Sequence, residues 1–179
     1  MKSDTFKKDL YRYFGEKGEG WHRLTRSKRL KYIYCFRRYN ETKSRIFKLW
    51  YRIRLKMLGS TQIQIPLNTK IGEGLYIGHD GFVVINADAV IGKNVNILQG
   101  VTIGQENRGP RKGAPAIGNK VVICPGAVTV GKITIGDDVL IAPNSYVNFD
   151  VPSHSVVVGN PGVIHYKENA TEGYIGRIV

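Results

Sequence analysis

The sequence predicts a mainly β protein: a parallel β-helix of six-residue steps, preceded by a short α-helical region. Three observations carry this. With one slip, one break and Thr129 as an exception, an aliphatic residue, most often Ile, returns every sixth position from Ile65 to Val147. Gly, Asn and Asp cluster between those returns, where a chain must turn. The charge is also divided. Residues 1–58 hold 18 of the 27 Lys and Arg and 5 of the 14 Asp and Glu, while residues 59–179 hold nine of each sign. Two regions with different physical work therefore meet near Gly59-Ser60.

Residues 1–58 interleave cations with aromatics, as in LKYIYCFRRY and RIFKLWYRIRLKML, and no Gly or Pro interrupts Trp21 to Leu58. That pattern reads as two or three helices. A basic, aromatic surface fits the anionic inner leaflet of a membrane, where each cation contributes about 1 kcal/mol. It also fits helices that cap the following domain and leave their cations solvated. Nucleic acid is not an expected partner, because no recognition fold accompanies the basic stretch. No apolar run approaches a membrane span, and MKSDTFKKDL lacks the apolar core of a secretory signal. Cys35 and Cys124, one in each region, make no disulfide framework, so a reducing cytoplasm is expected.

The second region, residues 59–166, reads IPLNTK, IGEGLY, IGHDGF, then after two residues INADAV, IGKNVN and ILQGVT. It resumes after a polar excursion at 105–116 as IGNKVV, ICPGAV, TVGKIT, IGDDVL, IAPNSY and VNFDVP. On an α-helix a step of six walks the apolar position around the surface, so no face stays dry. A strand of about four residues followed by a corner keeps it on one side. Three such strands form a triangular turn, and turns stack at about 4.8 Å. Twelve hexads and the broken one amount to four to five coils. A sandwich of short strands is the competing arrangement, and alternation rarely holds a six-residue phase for so long. Residues 167–179 form a C-terminal tail.

The stretches IGEGLYIGHDGFVVIN, ILQGVTIG and VPSHSVVVGNPGVI, within residues 63–164, resemble the hexapeptide-repeat acyltransferases. More closely, they resemble the serine O-acetyltransferase-like branch, in the short form found in capsule and exopolysaccharide assembly. The resemblance implies a left-handed coil, which runs against the usual crossover preference and cannot be derived from periodicity. It further implies a homotrimer, active sites in the grooves between neighbouring prisms, and acetyl-CoA as co-substrate. No metal is expected, since the sequence holds no His/Cys/Asp/Glu cluster of ligand spacing.

Acetyl transfer from a thioester needs a base for the acceptor hydroxyl, donors for the developing oxyanion and a slot for CoA. An imidazole titrating near neutrality suits the first task. Of four histidines, His22 lies in the basic segment, His154 in the closing turn and His165 beyond the last hexad. His79 alone interrupts a hexad, at the corner Ile77-Gly78-His79-Asp80-Gly81. By itself that is a solvated corner residue; the resemblance makes it the general base. Backbone N–H groups at a corner are the expected oxyanion donors.

The excursion offers Arg108, Arg111 and Lys112, which fit either the phosphates of CoA or an ordinary solvated loop. By resemblance, pantetheine meets the backbone near Gly104, Cys124-Pro125 and Ala142-Pro143, and the adenine end meets Gly159–Pro161. Lys132 is a further phosphate candidate.

The sequence departs from serine acetyltransferases where those enzymes hold their amino-acid substrate. The aspartate before the catalytic histidine is Gly78, the Arg-His pair of the excursion is Gly113-Ala114, and the carboxylate that orients the histidine is Gln64. Asp80, Gln64 or a backbone carbonyl is then left to orient His79. Serine is a zwitterion and needs both a cation and a carboxylate. Their loss leads to the expectation of a sugar hydroxyl of a surface polysaccharide or its precursor as acceptor, hydrogen-bonded by Asp80, Asn86 and Gln99. Serine O-acetylation for cysteine synthesis is the alternative, and a non-catalytic β-helix scaffold is another.

Overall fold

The computed structural model describes residues 4–15, 27–59 and 62–179. Among these residues three helices come first: α1 (Asp4–Phe14), α2 (Lys28–Glu41) and α3 (Arg45–Gly59). Ser27 caps α2, its hydroxyl accepting the Leu30 N–H at 3.2 Å, which satisfies one of the N–H groups a helix start leaves unpaired.

Fifteen short strands follow on three faces of a prism, the first thirteen dealt to the faces in turn. The first face holds β1 (Ile63–Gln64), β4 (Val83–Ile85), β7 (Thr102–Gly104), β10 (Val128–Val130) and β13 (Tyr146–Val147). The second holds β2 (Lys70–Ile71), β5 (Val90–Ile91), β8 (Ala116–Ile117) and β11 (Thr134–Ile135). The third holds β3 (Tyr76–Ile77), β6 (Asn96–Ile97), β9 (Val122–Ile123), β12 (Val139–Ile141) and β14 (Ser155–Val158). It ends with β15 (Val163–Tyr166), which pairs antiparallel to β14. All other ladders are parallel, so the parallel β-helix that the six-residue period predicts is the architecture observed.

The period works because it stacks like on like. Ile77, Ile97, Ile123, Ile141 and Val157 stand in register across successive coils, and all five are fully buried. Each side chain removed from water in this way contributes about 1.5–3 kcal/mol. At the corner between the second and third faces the coils touch so closely that a Cβ on Gly92 would lie 2.5 Å from the Gly118 carbonyl oxygen. Only glycine fits there.

The first coil of a prism exposes unpaired backbone groups, as any sheet edge does. Helices α1 and α2 cover them with side chains. The Tyr32 hydroxyl bonds both the N–H and the carbonyl of Ile65, at 3.1 Å each. The Tyr13 hydroxyl does the same for Ile77, accepting from its N–H at 2.7 Å and donating to its carbonyl at 2.9 Å. Arg37 donates to the carbonyls of Ile71 and Gly72 at 2.6 Å each and pairs with Asp9 at 2.8 Å. Asp9 in turn accepts the Leu75 N–H at 2.8 Å. Arg12 reaches the Gly74 carbonyl and Asn96. Burial pushes the Asp9 carboxyl above its ordinary pKa, against the pull of Arg37.

Helix α3 is different. It buries Tyr51 and Leu55 but presents Ile46, Trp50, Ile53 and Met57 outward, on the opposite side. The tail also has a fixed place, along the third face. Asn94 and Val179 exchange hydrogen bonds at 2.8 and 3.0 Å, and Asn96 donates to the Tyr174 carbonyl at 3.0 Å. Among the described residues no helix is long and apolar enough to cross a membrane.

Candidate active site

The corner that carries His79 arises from a length mismatch. Ile77 is in register with Ile97, and beyond the corner Val84 is in register with Thr102. Between these fixed pairs one coil must fit residues 78–83 and the next only 98–101, so two extra residues bulge outward. His79 and Asp80 are exposed as a result, and Phe82 with them. The two-residue slip in the repeat is thus the device that lifts a histidine out of the prism wall. Gly78 follows from the same geometry, because the Leu98 side chain occupies the space a Cβ there would need. An aspartate at this position would require Leu98 to move.

Successive corners stack on this one. The Gly100 N–H donates to the Phe82 carbonyl at 2.6 Å, the Gly126 N–H to Gln99 at 3.0 Å, and the Asn144 N–H to Pro125 at 3.0 Å. Ala142 N–H donates to Val157 at 2.8 Å, and Gly159 N–H to the Ser145 hydroxyl at 3.0 Å. His79, Asp80, Gln99, Cys124, Pro125, Ala142, Pro143, Gly159 and Pro161 therefore share one edge of the prism. At about 4.8 Å per coil, the edge from His79 to Gly159 runs roughly 19 Å. The Gln99 side-chain oxygen is buried there without a partner.

The remaining candidates lie on a different edge, between the first and second faces. Asn86 donates from its backbone to Ile103 at 2.8 Å, and its side chain is occupied by Gln105 at 3.1 Å and the Asp88 N–H at 2.9 Å. Gly104 follows one coil on, and the excursion leaves from it as a small hairpin, with Glu106 and Gly113 exchanging hydrogen bonds at 2.9 and 3.0 Å. Arg111 accepts the Lys132 N–H through its carbonyl at 2.8 Å and leaves its side chain exposed with that of Lys132. Within one prism, Asn86, Gly104, Arg111 and Lys132 are not brought to His79.

Cys124 is buried against Val122 and Leu140, and burial pushes its thiol pKa up, which suits packing rather than nucleophilic attack. His154 stands at the third edge, 2.9 Å from Asp138, and His165 is on the exposed β15. Asp138 also accepts from Ala170 and Thr171. Burial works against its charge, yet these hydrogen bonds hold its carboxyl below the usual range. His22 lies outside the described residues.

Neither Asp80 nor Gln64 hydrogen-bonds His79, and among the described residues the ring has no partner. What grips the corner comes from the helices. Tyr13 holds Ile77 on one side, and Arg29, in the first turn of α2, donates to the Gly78 carbonyl at 2.6 Å. The same guanidinium lies 3.8 Å from Asp80 and 5.6 Å over the Tyr13 ring. A cation and a carboxylate thus stand beside the His79 corner; Asp80 belongs to the motif that carries His79, whereas Arg29 is a residue that motif spacing does not mark. The only sequence signal for Arg29 is that the helices mix cations with aromatics.

No protein-family model matches the chain. Among curated proteins it is 43% identical over 113 residues to the serine acetyltransferase of Staphylococcus aureus (strain Mu50), covering 63% of this chain and 53% of that one. It is 43% identical over 100 residues to the serine acetyltransferase of Helicobacter pylori (strain 26695), covering 56% and 58%. Of solved structures, soybean serine acetyltransferase apoenzyme superimposes with a TM-score of 0.73 at 28% identity, over 90% of this chain and 67% of that chain. A serine acetyltransferase in complex with CoA gives 0.70 at 27% identity, over 90% and 68%. The prism is similar to that of the serine acetyltransferases. The chain spans about half the length of the curated relatives it matches.

These findings overturn the expected sugar acceptor and its link to surface polysaccharide. The relatives are serine acetyltransferases, and the one from Neisseria gonorrhoeae, at 27% identity and a TM-score of 0.66, was solved with serine. The sugar expectation argued by elimination from three positions, Gly78 at the corner and Gly113 and Ala114 in the excursion. Charges that arrive from a helix distant in sequence, as Arg29 does, escape such an argument.

Proposed function

We propose that this chain is an acetyl-CoA-dependent serine O-acetyltransferase with His79 as general base. The observation that carries the reading is the single edge on which His79 is followed by Pro125, Pro143 and Gly159 in register. CoA lies along that edge, its pantetheine against Cys124-Pro125 and Ala142-Pro143 and its adenine end at Gly159–Pro161. His79 accepts the proton of the serine hydroxyl as that oxygen attacks the thioester carbonyl carbon. Backbone N–H groups stabilise the tetrahedral oxyanion. Its collapse breaks the C–S bond, and the imidazolium returns the proton to the departing sulfur, leaving O-acetylserine, CoA and a neutral His79.

In a homotrimer the second edge of a neighbouring protomer faces this one and brings Gly104, Arg111 and Lys132 to the groove, where the two cations meet the phosphates of CoA. The enzyme works in the cytoplasm, with α3 against the anionic inner face of the membrane. Supporting this last point, Ile46, Trp50, Ile53 and Met57 form one exposed stripe, Leu49 and Phe47 widen it, and α3 carries Arg45, Lys48, Arg52, Arg54 and Lys56 with no acidic residue. Pairing of α3 with another copy of itself would bring like charges together.

The test is CoA release from acetyl-CoA, with L-serine as acceptor and hexoses as controls. Turnover with L-serine alone is expected. Absence of turnover with L-serine would refute the reading.

A further inference from the structure

We infer that Arg29 and Asp80 form the acceptor-recognition pair, Arg29 taking the carboxylate and Asp80 the ammonium of the amino acid whose hydroxyl His79 deprotonates. This rests on the serine reading above and names the residues that give it specificity.

The pair brackets the base along the chain. Arg29 donates to the carbonyl of Gly78, the residue before His79, at 2.6 Å, and Asp80 is the residue after it. The two charges are 3.8 Å apart, too far for a hydrogen bond, so neither exhausts the other. A guanidinium has five N–H donors. Arg29 spends one on Gly78, and its Nε is buried without a partner.

The Arg29 side chain is 18% exposed and is braced by the Tyr13 ring, whereas that of Asp80 is 64% exposed. The cation is therefore largely desolvated and fixed in place, which strengthens its attraction for a carboxylate, and the carboxylate of Asp80 is open to an incoming ammonium. In serine the amine, the carboxyl and the hydroxymethyl group all branch from one carbon. A cation and an anion 3.8 Å apart, one bonded to the residue before the base and the other following it in the chain, match that compactness. Arg29 alone would not distinguish serine from glycerate, nor Asp80 alone serine from L-serinamide.

The alternative role for the pair is mechanical: Arg29 fastens α2 to the corner, and Asp80 is incidental. Substrate analogues separate the two. L-Serinamide keeps the ammonium and lacks the carboxylate; glycerate keeps the carboxylate and lacks the ammonium. Turnover of L-serine by the parent enzyme is measured first, because its absence refutes the serine reading and this inference with it. Given that turnover, Arg29→Gln is expected to lower the kcat/KM preference for L-serine over L-serinamide by about tenfold or more. Asp80→Asn, at an exposed position that carries no folding risk, is expected to lower the preference for L-serine over glycerate, chiefly through KM. A mechanical role predicts equal losses for all acceptors, with both preferences unchanged, and that result would overturn the inference.

Discussion

Helices α2 and α3 carry five Lys and Arg each and put them to opposite uses. In α2, Arg37 is buried against Asp9 and two carbonyls, and Arg29 holds the carbonyl before His79. In α3 every cation is exposed, beside an exposed apolar stripe. A basic segment is thus two things at once. Part of it completes the hydrogen bonding of the first coil of the prism, and part lies exposed at the surface. Composition treats the ten cations alike; the unpaired backbone of the first coil sorts them.

The sharpest way to break this contrast is Arg37→Ala. It strands a buried carboxylate and two carbonyls, so a loss of about 3–5 kcal/mol is expected in urea unfolding. A loss below about 1 kcal/mol would mean that the cap does not close the prism. Next comes Tyr13→Phe, which leaves the N–H and carbonyl of Ile77 without their shared partner, with an expected cost of about 1–3 kcal/mol.

Neutralising cations of α3 is expected to leave stability within about 0.5 kcal/mol. Pelleting with anionic vesicles should weaken by about 1 kcal/mol per cation removed. Stability losses like those of Arg37→Ala would erase the distinction between the helices. The tail offers the smallest effect. The Asp138 carboxyl lies below its ordinary pKa in the folded chain, so its hold on Ala170 and Thr171 is intact above about pH 4. That hold is lost as the pH falls through the lower, folded value. Amide exchange at Ala170 and Thr171, corrected for its intrinsic pH dependence, should be flat above that window and rise below it. A profile that stays flat in acid would contradict the assignment.

Much of the prism was legible because its cause is local and periodic. The isoleucines at 77, 97, 123 and 141 announce a buried column, and the slip beside His79 announces an irregular corner. The alignment of Pro125, Pro143 and Gly159 with that corner follows from the same count. What periodicity cannot carry is the meeting of distant residues. Arg29 with Gly78, Tyr13 with Ile77 and Asp138 with Thr171 depend on where whole elements come to rest. The expectation of a sugar rests on uncharged residues at Gly78, Gly113 and Ala114, and the cation at the Gly78 carbonyl arrives from α2.

The most direct test of the account is the kcat/KM for L-serine of the parent enzyme beside His79→Ala, both checked for unchanged thermal unfolding. The account predicts turnover by the parent and a loss of at least about 100-fold in the variant, the ordinary worth of a positioned general base. A His79→Ala enzyme that acetylates serine as fast as its parent would contradict it.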